Sequence, residues 1–257
     1  VIVTDEVWGN IPLLHIVEKE LETPEMPVMI FLHGFTSAKE HNLHYAYQMA
    51  KKGLRVLLPD AHLHGVRAEE LDEVQLSLRF WEIVLTSLEE VGVLKDELAK
   101  RDLPAVKVGL GGTSMGGITT LGCLTLYDWI DAAAVMMGAP NYVQLAKAQM
   151  AQFERGGFKL PITDEERRNL LDTLARFDLT KHRPALAKRP VFFWHGRNDT
   201  TVPYEPTFNF YNAVKSDYAD HPHDFEFMTD ETAGHAVSRP GMLRAADWMA
   251  FYLKGRP

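Results

Sequence analysis

Residues 106–117 read VKVGLGGTSMGG, and the reading of this stretch decides the fold. Val106–Gly111 is a short apolar run of the kind a buried strand makes, and the residues from Gly117 onward have helical period. Between them, Gly112-Thr113-Ser114-Met115-Gly116 spells G-x-S-x-G. In a strand-to-helix context this pentapeptide predicts a sharp, strained turn that lifts the Ser114 hydroxyl above the sheet edge. Side chains two residues before and after the serine would collide across such a turn, so Gly112 and Gly116 carry none. The helix that follows points its amino terminus at the serine, where it favours developing negative charge.

Working outward, β-rich runs alternate with segments of helical period. Candidate strands are Leu13–Glu18, Pro27–His33, Arg55–Pro59, Val106–Gly111, Ala132–Met137, Val191–His195 and Asp224–Thr229. The later ones are nearly continuous apolar runs, as strands covered on both faces are. Helices are expected over Ala38–Lys52, Val74 to about Lys100, Gly117–Tyr127, Thr207–Lys215 and Met242–Leu253. The pattern predicts an α/β protein: a mostly parallel central sheet with helices on both faces, one domain over residues 1–257. Asn141–Pro184 breaks the rhythm. It reads as two helices, the first with Val143, Ala146, Met150 and Phe153 on one face and Gly156-Gly157 at its end. The second opens with Thr163 and Glu166 at capping-box spacing. An excursion of this length at a sheet edge is expected to be a short helical cap or lid, at about residues 141–184.

A serine hydroxyl is a poor nucleophile until a base takes its proton. Of eleven histidines, His235 follows the last strand and precedes the last helix, which puts it at the same sheet edge as Ser114. Asp199, in HGRNDTTVP directly after the VFFWH strand, is the candidate acid, with Asp230 as its nearest rival in sequence. The order Ser114, Asp199, His235 is that of an α/β-hydrolase triad. For the oxyanion of an acyl transfer the candidate donors are two amides: Met115, next after the serine, and Phe35, in the FLHGFT turn. The alternatives are an Asx turn at Asp199, a surface-loop His235, and a His33-Gly34 pair that only ends a strand.

Several reaction and partner classes are disfavoured. The chain carries a net charge of −8 with a pI near 5.8, which argues against a general nucleic-acid or anionic-membrane partner. No apolar run reaches the ~18 residues of a membrane span. The amino-terminal VIVTDEVWGN has no basic region followed by an apolar stretch, and Cys123 is the single cysteine, so a cytoplasmic enzyme is expected. Cys123 lies nine residues after Ser114, on the opposite helix face, and reads as a buried thiol. The pairs His41/His44, His62/His64 and His221/His223 lack the spacing of a metal site. No phosphate loop or dinucleotide fingerprint is present, so neither metal nor cofactor is expected.

FLHGFTSAKE, RVLLPDAHLHG, GLGGTSMGG, MMGAP, FFWHGRNDTTVP and AGH, spread over residues 30 to 235, together resemble a serine α/β-hydrolase. The resemblance is to the small bacterial carboxylesterases related to the dienelactone-hydrolase and prolyl-oligopeptidase branches. It implies Ser114 as nucleophile, Asp199 as acid, His235 as base, Phe35 and Met115 as oxyanion amides, and a cofactor-free esterase on short- to medium-chain acyl esters or thioesters. Dienelactone hydrolases use cysteine where this chain has Ser114, so their substrate does not carry over. The expected substrate is a small-molecule ester, bound by Phe35, Tyr142, Val143, Phe153 and Tyr204. A peptidase of the oligopeptidase type and a catalytically silent small-molecule binder stay open, as does the oligomeric state.

Overall fold

Apolar side chains alternating along one strand need two partners, one on each face. Strand β3 (Met26–Leu32) sends Val28, Ile30 and Leu32 into one buried cluster and Met29 and Phe31 into another. The computed structural model, which describes residues 1–255, builds eight strands into one sheet on this plan. The others are β1 (Ile2–Trp8), β2 (Ile11–Val17), β4 (Arg55–Pro59), β5 (Ala105–Thr113), β6 (Ala132–Met136), β7 (Val191–Gly196) and β8 (Phe225–Asp230). Their order is β1-β2-β4-β3-β5-β6-β7-β8. β2 runs antiparallel to both its neighbours, and from β4 to β8 every pairing is parallel. The carboxyl ends of six strands therefore share one edge.

Among the described residues, eight α-helices connect and cover the sheet: α1 (Leu43–Lys51), α2 (Glu73–Leu78), α3 (Phe80–Lys100), α4 (Met115–Leu126), α5 (Tyr142–Arg155), α6 (Asp164–Ala175), α7 (Tyr204–Val214) and α8 (Arg239–Lys254). Tyr45, Ala46 and Met49 of α1 and Ala245, Trp248 and Met249 of α8 pack on the Met29/Phe31 face. Leu88, Val91 and Leu94 of α3, Leu121 and Leu124 of α4, and Phe210 and Val214 of α7 cover the other face. Cys123 is buried there as a free thiol. A third cluster, Trp81, Ile83, Val84, Met115, Ile118, Tyr142, Ala146 and Leu174, ties α3 and α4 to the α5–α6 excursion. In that excursion Thr163 and Glu166 form a complete capping box at the start of α6.

The structure departs from expectation in three places. β1 is an additional strand, mostly exposed along its length. It pairs with β2 through Gly9 and Asn10, both at positive φ (53° and 68°), as a two-residue hairpin turn requires. The expected helix Ala38–Lys52 begins only at Leu43, after a 3-10 turn over Lys39–Asn42. The long helix expected from Val74 is broken into α2 and α3 at Arg79, whose φ and ψ of −94° and 8° leave the helical region.

Candidate active site

The elbow starts from sterics. A Cβ on Gly116 would lie 2.2 Å from the Leu32 carbonyl oxygen, and one on Gly112 would lie 2.6 Å from that oxygen and from the Gly116 carbonyl carbon. Strand β3 thus runs so close to the turn that only glycine fits at both places. Ser114, between β5 and α4, sits at φ 53°, ψ −112°. A non-glycine residue held there stores on the order of 1–3 kcal/mol and needs its surroundings to fix it. Its N–H donates to Met136 O (2.8 Å) and its carbonyl accepts from Ile118 N–H (2.9 Å).

Asp199 and His235 arrive on the loops after β7 and β8, which are joined to each other. Asn198 N–H donates to Ala233 O (3.0 Å) and Arg197 N–H to Asp230 O (2.8 Å). A Cβ on Gly196 would lie 2.3 Å from Gly234 O, so the two loops touch backbone to backbone. The Asp230 carboxylate accepts the Thr232 and Ala233 amides and shapes the turn before His235 (3.2 and 3.1 Å). His235 Nε2 lies 2.9 Å from Ser114 Oγ and its Nδ1 lies 2.7 Å from Asp199 Oδ2. The other oxygen, Asp199 Oδ1, accepts the amides of Thr201 (2.9 Å) and Val202 (3.0 Å). The Asx turn and the contact with His235 therefore coexist, one on each carboxylate oxygen. Burial raises the Asp199 pKa, but bonds from His195, His235 and Val202 outweigh it and hold the carboxyl well below the usual range. An ionised Asp199 accepts from Nδ1–H, which leaves the Nε2 lone pair facing the serine hydroxyl.

His33 to Thr36 form the facing wall. His33 Nδ1–H donates to Gly34 O (2.7 Å), and His33 Nε2 accepts from Ala61 N–H (3.0 Å). His64 Nδ1–H donates to His62 O (2.9 Å), and its Nε2 accepts the Thr36 amide (3.0 Å). Both rings act as one donor and one acceptor, which only a neutral imidazole can do. Burial pushes the His33 pKa down to about 4 and lowers that of His64. The Phe35 and Met115 amides have no acceptor among the described residues. Beneath the wall, buried Asp60 accepts the Lys39 amide, the Lys39 ammonium and the Val66 amide.

A cavity of about 910 Å³ opens on Ser114, bounded by Phe35 and Phe80 on one side, α5 on another, and Thr200–Pro203 on a third. Of the five side chains expected to bind substrate, Phe35 and Phe153 line it. The other three do not, and the expectation is corrected for them. Tyr142 is fully buried and donates its hydroxyl to Ile118 O (2.6 Å). Val143, in the first turn of α5, packs against the third cluster, its amide donating to Asp178 Oδ2 (3.0 Å). Tyr204 is buried behind the Asp199 loop, with its hydroxyl on Thr229 Oγ1 (2.8 Å) and its ring against His195. Each is an aromatic or β-branched residue on the inward face of a helix, where core and pocket give the same sequence signal. Missed from sequence were Phe80, Ser77 and Gln149 of the lining, and His195, whose Nε2–H is shared between Val202 O (2.9 Å) and Asp199 Oδ2 (3.4 Å). His195 was visible within HGRND; the α2–α3 residues carried no signal of nearness to Ser114.

Comparison with known proteins agrees with this architecture. The sequence profile of the prolyl oligopeptidase family matches residues 95–255, which include Ser114, Asp199 and His235. A protein of Bacillus subtilis (strain 168) named "Putative esterase YitV" is 45% identical over 252 residues, 98% of this chain and 99% of its own length. Esterase YjfP of Escherichia coli (strain K12) is 31% identical over 210 residues, 80% of this chain and 82% of its own. Among solved structures, TT1662 from Thermus thermophilus superposes with a TM-score of 0.77 at 20% identity, covering 100% of this chain and 99% of that one. The fold, the elbow and these full-length relatives lead to one conclusion: the chain belongs to the prolyl oligopeptidase family, a branch of the serine α/β-hydrolases.

Proposed function

We propose that this enzyme, a hydrolase of the esterase type, is a serine carboxylesterase acting on small-molecule esters of short- to medium-chain acids, with Ser114, His235 and Asp199 as its catalytic triad. The observation that carries the reading is the position of His235, 2.9 Å from Ser114 Oγ and 2.7 Å from Asp199 Oδ2, with Ser114 itself lining a cavity of mixed apolar and polar side chains. Ser114 Oγ attacks the acyl carbon as His235 Nε2 takes its proton. The Phe35 and Met115 amides, free of other acceptors, donate to the oxyanion, and the start of α4 adds its dipole. His235 then protonates the leaving alcohol and deprotonates the water that releases the acid. Asp199 keeps the imidazole in the required tautomer and stabilises its charged form. A cytoplasmic setting suits the free, buried thiol of Cys123.

The family also contains peptidases, so the test offers both bonds. Purified protein is given p-nitrophenyl esters from acetate to palmitate, acyl-CoA thioesters and aminoacyl p-nitroanilides. Ester turnover that disappears in Ser114→Ala, with little anilide cleavage, is expected. Anilide cleavage exceeding ester cleavage would establish the peptidase instead. No turnover of any of them would leave a binder.

A further inference from the structure

We propose that a second apolar cavity, between α3 and the α5–α6 excursion, is the distal acyl subsite of the Ser114 site, and that the enzyme takes esters whose aliphatic acyl chain is long enough to reach it. The inference rests on the esterase reading above. This cavity has a volume of about 440 Å³ and is walled by Trp81, Leu85, Met150, Leu160, Ile162 and Leu170. It is continuous in its walls with the Ser114 cavity: Ser77, Gln149 and Phe153 line both. A single layer of side chains thus separates the two. Within that layer Gln149 is held in place by the Trp81 indole N–H (2.8 Å), whereas Phe153 is half-buried with its ring against Phe158.

Direction decides which half of the ester enters. The leaving alcohol must lie beside His235, which protonates it. The acyl chain then points away from His235. The second cavity is built entirely from α2, α3, α5, α6 and the segment between α5 and α6, and nothing from the Asp199 or His235 loops lines it. It lies on the acyl side. Chemistry decides the kind of chain. Glu82 and Glu89 are the charged residues on its wall, and Glu82 is held by Arg79. Acidic rim groups disfavour a second carboxylate on the substrate, so a neutral hydrocarbon tail fits.

The experiment fills the cavity with Leu170→Trp, a half-buried position that faces the second cavity and not the first. The readout is the ratio of kcat/KM for p-nitrophenyl octanoate to that for p-nitrophenyl acetate, beside the ratio for octyl acetate to ethyl acetate. The octanoate-to-acetate ratio is expected to fall by about tenfold or more, while the ratio for chains on the alcohol side stays within about twofold. Ile162→Trp, at the exposed rim, asks the same question should Leu170→Trp lose the fold. Unchanged ratios in both variants would overturn the proposal, as would a fall confined to octyl acetate, which would put the alcohol there. These outcomes are distinct from failure of the esterase reading, in which the unaltered enzyme hydrolyses none of the esters.

Discussion

At residue 114 the backbone and the chemistry make the same demand. The left-handed φ of 53° is a cost that two glycines and two backbone hydrogen bonds hold in place, and it brings the hydroxyl to His235. Gly116→Ala would push a methyl into the Leu32 carbonyl oxygen, so its Tm should fall by about 4–12 °C, the shift that about 2–3 kcal/mol of strain gives in a chain of this size; an unchanged melting curve would contradict the elbow geometry. Ser114→Ala should fold as the wild type and lose about 10⁴-fold or more in kcat. Asp199→Asn should cost about 10⁴-fold in kcat by stabilising the wrong imidazole tautomer, measured under saturating ester. Asp230→Asn offers the control. Its carboxylate holds the turn before His235, through the Thr232 and Ala233 amides and the Thr232 hydroxyl, and does not touch the imidazole, so it should lose far less activity than Asp199→Asn.

At the scale of elements, the His33–Thr36 turn depends on neutral imidazoles. The His33 pKa is about 4 in the folded protein against an ordinary 6.5. The unfolded chain therefore binds a proton that the native state refuses between those values. The contribution of His33 to stability is complete above about pH 6.5 and is lost as pH falls toward about 4, at up to about 1.4 kcal/mol per pH unit. Denaturant unfolding at about pH 7 and about pH 5 should show this slope, shallower in His33→Gln; parallel slopes would remove His33 as the cause. The α5–α6 excursion is the other element with its own behaviour. Leu174 is the only buried residue of α6, so its amides should exchange with solvent well before those of β3 and β5. Elements of this kind were legible to different degrees. The capping box at Thr163 and Glu166 announced α6 because its chemistry is local. The break at Arg79 was not legible, because the apolar stripe runs on through it and only tertiary packing interrupts the backbone. β1 was hidden because Thr4, Asp5 and Glu6 interrupt its apolar residues and no buried alternation marks it, although the Gly9-Asn10 turn carried a signal.

For the whole molecule, parallel pairing from β4 to β8 is what turns three loops distant in sequence into one site. Ser114, Asp199 and His235 were readable because each follows a strand and therefore must reach the same edge. The cavity on Ser114 was readable only at Phe35 and Phe153, since much of its wall comes from α2, α3 and α5, and an inward-facing Tyr142 gives the same pattern as a cavity-facing Phe153. The central claim is that Ser114 is the nucleophile. A fluorophosphonate probe tests it most directly, with the labelled protein digested and its peptides mapped by mass. The account predicts one adduct, on the peptide that contains Ser114, formed much more slowly in His235→Gln and absent from Ser114→Ala. An adduct on another residue, or undiminished labelling of Ser114→Ala, would contradict it.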